Sequence, residues 1–101
     1  MNTKDILELI ASPNPANVGD ECTIFVTLKS KKDVYCDVYG MNGIASTVSV
    51  SPITANSDVW ELSDSNYICK FNVNLTETSI VRVRTATDAA SVVVLVAPSE
   101  R

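Results

Sequence analysis

The chain contains no histidine, only three glycines and a single tryptophan. Histidine is the usual base for a serine or cysteine nucleophile, so its absence argues against nucleophilic catalysis. There is no glycine-rich phosphate loop, and neither a GxSxG nor an HExxH motif occurs. The acidic residues are scattered through expected turns and form no catalytic pair. We therefore expect no enzyme activity and no cofactor.

Cysteine is scarce and odd in number, at Cys22, Cys36 and Cys69. The spacings between these three cysteines match neither a zinc nor a redox CxxC motif. Because the chain has no histidine, it cannot complete a mixed cysteine–histidine zinc site. The interpretation that we favour is three reduced side chains that pack in strands as small apolar groups. The alternative is one disulfide with one thiol left over.

Calcium is the remaining metal, because Asp58, Glu61 and Asp64 fall in one loop region and Asp20 and Glu21 in another. No DxDxDG spacing is present. Acidic side chains are common in turns, where they bond to nearby backbone groups. We therefore interpret these acids as turn residues and expect no metal site.

Clustered cations and long apolar runs are also missing. The formal net charge is -4, and lysine and arginine form no stripe, so nucleic acid is not an expected partner. The longest apolar run, Val92 to Ala97, is far shorter than the roughly 18 residues that span a bilayer. The N-terminus has no secretory signal. We expect that the chain does not insert into a membrane. We also expect that it is made in a cytoplasm.

What the sequence does contain is a series of short alternating runs separated by turn residues. This spacing predicts a single all-β domain over residues 1–101, with seven to eight antiparallel strands arranged as a sandwich or barrel. The clearest run, Glu21 to Lys29, places Cys22, Ile24, Val26 and Leu28 on one face. The other predicted strands are Ile6–Ala11, Val34–Tyr39, Ile44–Ser51, Tyr67–Asn74, Val81–Arg84 and Val92–Val96.

Turn residues separate these runs. Asn42 and Gly43 predict a tight turn, Pro52 is expected to end the strand before it, and Thr87 to Ala90 is expected to be a turn. Pro13, Pro15 and the turn at Gly19 isolate residues 1–11, which we predict to be an edge strand or a docking segment.

Two stretches resemble known modules. They are SPNPANVGDECTIFVTL, a proline-containing lead followed by an alternating strand, and NYICKFNVNLTETSIVRVRTATDAASVVVLV, the last three strands. Both resemble bacterial and phage immunoglobulin-like domains of the Big type. The resemblance implies an immunoglobulin-like antiparallel β-sandwich. The chain departs from the antibody pattern, because no cysteine lies in the sixth strand and Trp60 lies in or beside a loop.

Tyrosine and arginine fall on one side of two strands that share a sheet in this fold. If Val34, Cys36 and Val38 point inward with Val81 and Val83, their neighbours point outward. Tyrosine and arginine are enriched at binding hot spots. We therefore predict a candidate interaction face formed by Tyr35, Tyr39, Arg82 and Arg84, with Asp37 among them and one apolar set of the last strand, either Val93 and Leu95 or the other. The alternative is ordinary cross-strand packing of tyrosine on arginine.

The resemblance implies a non-catalytic structural or interaction module with a protein partner. The odd cysteines, the missing signal and the self-contained length favour a phage virion component, such as a head decoration or a tail-associated domain, made in the host cytoplasm. The alternative is one module of a bacterial cell-surface or secreted adhesin. Weak carbohydrate binding is a third alternative, for which only Trp60 is available to stack.

Overall fold

The computed structural model describes residues 5–40 and 48–97. This part of the chain is all-β, and it contains no helix that could cross a membrane. The strands, in chain order, are β1 (Ile6–Ser12), β2 (Ala16–Asn17), β3 (Glu21–Leu28), β4 (Val34–Gly40), β5 (Val48–Ile53), β6 (Glu61–Ser63), β7 (Asn66–Asn74), β8 (Ser79–Arg84), β9 (Ala89–Val94) and β10 (Val96–Ala97).

Eight of these strands form two four-stranded antiparallel sheets. Sheet 1 has the order β1-β3-β7-β6, and sheet 2 has the order β5-β4-β8-β9. The short strands β2 and β10 pair in parallel. Residues 6–12 therefore form an edge strand, because β1 pairs only with β3 in sheet 1.

The inner faces of both sheets contribute to one hydrophobic core. On β3, every second residue from Cys22 to Leu28 is fully buried, as the alternation predicts. The predicted inward residues of sheet 2 are confirmed, since all five lie at most 6% exposed: Val34, Cys36, Val38, Val81 and Val83. The core is therefore built mainly from β-branched and cysteine side chains, with Leu28, Phe71 and Leu75 among the others.

The strand count of seven to eight was too low, because the described residues form ten strands. No predicted strand covers β2, β6 or the whole of β10, which have two, three and two residues, too few to produce a periodic signal. Pro52 was expected to end its strand but lies within β5. An edge strand tolerates proline, because one side of its ladder has no partner that needs the N–H group. The Asn42-Gly43 turn lies outside the described residues.

The predicted turn from Thr87 to Ala90 is also partly wrong, since β9 begins at Ala89. Ala89 and Ala90 pair with Arg84 and Val83 of β8. Alanine has little preference for strands, so the pairing follows from the neighbouring β8 and not from local propensity.

The proline-containing lead connects β1 to the edge of β9. The side-chain amide of Asn14 donates from Nδ2 to the carbonyl oxygen of Val93 at 3.0 Å, and its Oδ1 accepts the N–H of Leu95 at 3.0 Å. The N–H of Ala16 donates to the carbonyl oxygen of Leu95 at 2.8 Å. One side chain thus occupies the hydrogen-bonding positions that a further strand would use. Gly19, at a φ of 90°, then turns the chain into β3.

Candidate functional site

The side of sheet 2 that faces away from the core is called here the sheet 2 face. Its residues on β4, β8 and β9 alternate with inward-facing ones and are paired in register. Each cross-strand row joins residues of β4, β8 and β9. The rows are Tyr39, Ile80 and Val93; then Asp37, Arg82 and Ser91; then Tyr35, Arg84 and Ala89. All four predicted interaction residues therefore share this face.

Arg84 is held in place by two neighbours. Its guanidinium carbon lies 4.8 Å from the centroid of the Tyr35 ring, and its Nε lies 3.8 Å from Oδ2 of Asp37. The hydroxyl of Ser49 on β5 donates to the other Asp37 oxygen at 2.9 Å. Contacts of this kind contribute only about 0.5–1 kcal/mol at exposed positions. They fix the orientation of Arg84 and Tyr35 more than they stabilise the fold.

Arg82 is different, because its side chain makes no hydrogen bond, ion pair or ring contact within the described part of the chain. It stands opposite Asp37 on β4 and Ser91 on β9, yet Asp37 pairs with Arg84. Its side chain is exposed at the middle of β8. An exposed guanidinium with free donors can bind a carboxylate in bidentate geometry.

The row beside Arg82 is apolar. Val93 is 47% exposed and pairs with the half-buried Ile80, which in turn pairs with Tyr39. The sequence left open which apolar residues of the last strand join the face. Val94 is fully buried and Val93 points outward, so the set that contains Val93 joins it. Exposed arginine beside apolar and aromatic side chains is a combination that is enriched at protein interfaces.

The opposite side of the molecule, called here the sheet 1 face, also carries an apolar group. Phe25 on β3 pairs with Ile10 on one side and Lys70 on the other, and the Lys70 ammonium lies 5.9 Å from its ring centroid. Lys70 also forms an ion pair with Glu61 at 3.2 Å. Ile10 is 45% exposed, so β1 lies beside Phe25 and does not cover it.

At the end of sheet 2 where the β3–β4 and β8–β9 loops lie, a cavity of about 340 Å³ opens beside Tyr35. It is lined by Lys32, Asp33, Tyr35, Ala55, Ala86 and Thr87. Three polar side chains there already have partners: Lys32, Asp33 and Thr87, the last of which donates to Asp5. Lys32 lies 3.8 Å from Oδ1 of Asp5, and Asp33 accepts the N–H of Ala55 at 2.9 Å.

Asp5 is buried, and its role was not predicted from the sequence. Its carboxylate accepts hydrogen bonds from the hydroxyls of Thr87 and Thr85. These two hydrogen bonds hold the pKa of Asp5 below its ordinary value. No local pattern could have revealed the contact, because the partners are 80 or more positions apart. Asp5 thus joins the start of β1 to the β8–β9 loop.

The three cysteines are buried and free, which confirms the predicted apolar role. Burial raises the pKa of the Cys36 and Cys69 thiols to about 12 and also raises that of Cys22. Thiols with such pKa values are poor nucleophiles at neutral pH. Within residues 5–40 and 48–97, no group of three or more acidic or cysteine side chains could hold a metal.

Trp60 packs against the edge of the core, and its Nε1 donates to the carbonyl oxygen of Thr54 at 3.0 Å. Its ring therefore packs against the β5–β6 loop.

Comparison of the chain with protein-family models, curated proteins and solved structures finds no match.

Proposed function

We propose that the chain is an immunoglobulin-like β-sandwich that acts as a non-catalytic interaction module. The strand order supports the fold assignment. In this fold, strands A, B, E and D form one sheet, and C′, C, F and G form the other. The order β1-β3-β7-β6 and β5-β4-β8-β9 corresponds to these two series. The parallel pairing of β2 with β10 adds a second contact between the lead and the last strand.

The observation that carries the function is the composition of the sheet 2 face. Tyr35, Tyr39, Arg82 and Arg84 lie together there, beside the exposed Val93, and the side chain of Arg82 has no partner in the described residues. Tyrosine and arginine dominate binding energies at interfaces because they combine large contact area with directed hydrogen bonds. Such a face is suited to a protein partner.

The setting that we propose is a virion, as a head decoration or a tail-associated domain. Three buried free thiols support synthesis and folding in a reducing compartment such as a host cytoplasm. The acidic net charge argues against contact with packaged nucleic acid and is compatible with a position on a protein shell.

The test is to express the tagged chain in the cells or phage that supply its gene and to purify particles on a density gradient. We expect the wild type to co-purify with particles. A Tyr39→Ala/Arg84→Ala variant should be lost from them by about tenfold or more, the loss that about 1.4 kcal/mol of binding energy produces.

A Leu62→Ala variant is the matched control, because Leu62 is 69% exposed and lies on β6 of sheet 1. It should remain with the particles, and all variants should keep the wild-type melting temperature. Absence of the wild type from particles contradicts the virion setting. Recovery in the cell-surface fraction would support the adhesin alternative instead. Full retention of the double variant contradicts the role of the sheet 2 face.

A further inference from the structure

The two outer faces of the molecule carry free charges of opposite sign. Arg82 on the sheet 2 face and Glu8 on the sheet 1 face are both exposed, and neither side chain makes an ion pair or a hydrogen bond among the described residues. Each lies beside an apolar group. Ile80 and Val93 flank Arg82, and Ile10 and Phe25 flank Glu8.

The spacing of these residues is the same on both faces. Arg82 follows Ile80 by two positions on β8, and Glu8 precedes Ile10 by two positions on β1. Alternate residues of a strand point to the same face and lie about 6.6–6.8 Å apart. The distance between the isoleucine and the charged residue is therefore the same on β8 and on β1. When β8 of one copy lies antiparallel to β1 of another, Ile80 meets Ile10 and Arg82 meets Glu8.

We propose that copies of this chain bind one another through this contact, the sheet 2 face of one copy against the sheet 1 face of the next. The inference rests on the proposed function, in which the sheet 2 face is the binding surface, and names a second copy as its partner. The net charge of -4 does not oppose it strongly. Charges farther apart than about 8 Å are largely screened at physiological ionic strength, so the local arginine–glutamate contact dominates.

The contact has a consequence for the form of the assembly. The two contacting surfaces are different, so the interface is heterologous. Every copy that contributes a sheet 2 face keeps a free sheet 1 face. Association therefore continues beyond a dimer, as a stack or a ring, and does not stop at a two-fold pair.

Sedimentation velocity of the full chain over a wide concentration range tests the contact. We expect the mean sedimentation coefficient of the wild type to rise with concentration. Arg82→Glu and Glu8→Arg each place like charges in contact, so each should lower the association constant by about tenfold or more. Because it re-forms the pair in reverse, the variant that carries both substitutions should recover most of the association.

Two controls make the same changes of charge elsewhere. They are Lys31→Glu in the β3–β4 loop and Asp58→Arg in the β5–β6 loop, both exposed positions. Each should associate like the wild type, and thermal melting verifies that every variant is folded. The proposal is overturned by a wild type that stays monomeric at all concentrations. It is also overturned by single variants that associate normally, or by a combined variant that associates no better than the single ones.

The outcome separates this contact from the proposed virion function. A chain that stacks in solution but is absent from particles contradicts the virion setting and leaves the contact intact. A chain that is present in particles but remains monomeric contradicts the contact alone.

Discussion

The Oδ2 atom of Asp5 accepts the hydroxyl hydrogen of Thr85 at 2.8 Å, across 80 positions of the sequence. The reverse connection comes from Asp88, whose Oδ2 accepts the backbone N–H of Ile6 at 2.9 Å. The first residues of β1 and the β8–β9 loop are therefore joined by two carboxylates. Both carboxylates accept their hydrogen bonds in the ionised form.

The stability of the fold should depend on these two carboxylates in acid. Hydrogen bonds, from Thr87 to Asp5 and from Ile6 to Asp88, lower both pKa values below 3.8. Between pH 3.8 and the lowered pKa values, the unfolded chain binds protons that the folded chain does not. The free energy of unfolding therefore falls as the pH drops through this window, and the contribution is fully present above it.

The measurement is urea denaturation from about pH 5 downward, the range in which such carboxylates titrate. We expect Asp5→Asn to be less stable than the wild type at neutral pH and to lose less stability in acid. Asp58→Asn, in an exposed loop, is the control and should follow the wild type. An Asp5→Asn variant with the full acid dependence of the wild type would show that Asp5 is not responsible.

Replacing Asn14 should loosen the edge of β9. Asn14→Ala removes two hydrogen bonds to the Val93 carbonyl and the Leu95 N–H, each worth about 0.5–1.5 kcal/mol. We expect the free energy of unfolding to fall by about 1–3 kcal/mol. We also expect hydrogen exchange at the Leu95 amide to accelerate. Asn56→Ala, at an exposed loop position, is the control. Unchanged exchange at Leu95 would refute the role of Asn14.

The cysteines should be unreactive in the folded protein. Cys22, Cys36 and Cys69 are at most 1% exposed, and burial raises the pKa of Cys36 and Cys69 to about 12. We expect a thiol reagent at mildly alkaline pH to modify them only at the rate of unfolding. In denaturant without reductant, all three should react at once. Rapid modification of the native protein would contradict the first expectation. Reaction of only one thiol in denaturant would contradict the second.

Much of the fold was accessible from the sequence because strands have a period of two. The alternation of β3, β4, β7 and β8 identified the inward residues and thereby the four side chains of the interaction face. The orientation of Val93 could not be predicted in the same way. Val92 to Val96 is apolar at every position, so its own pattern does not specify a phase, and only pairing with Ile80 decides it.

The features that were missed depend on contacts between distant parts of the chain. Nothing near Asn14 indicates that its amide reaches Leu95, 81 positions later. The same holds for Asp5 and its threonine partners, and for the placement of Pro52 within β5, which is permitted because β5 is at a sheet edge. Local pattern predicts which residues are buried. It does not predict which polar side chains meet.

The amide of Asn14 also limits how the protein can polymerise. Exposed strand edges are templates on which further strands add, and this is a common route to fibrils. The Leu95 N–H and carbonyl are already bonded to Asn14 and Ala16, and Pro52 withholds a donor from the far margin of the same sheet. Growth through the edges of sheet 2 is thereby hindered, so contacts through the broad surface of this sheet depend on side chains and not on backbone ladders.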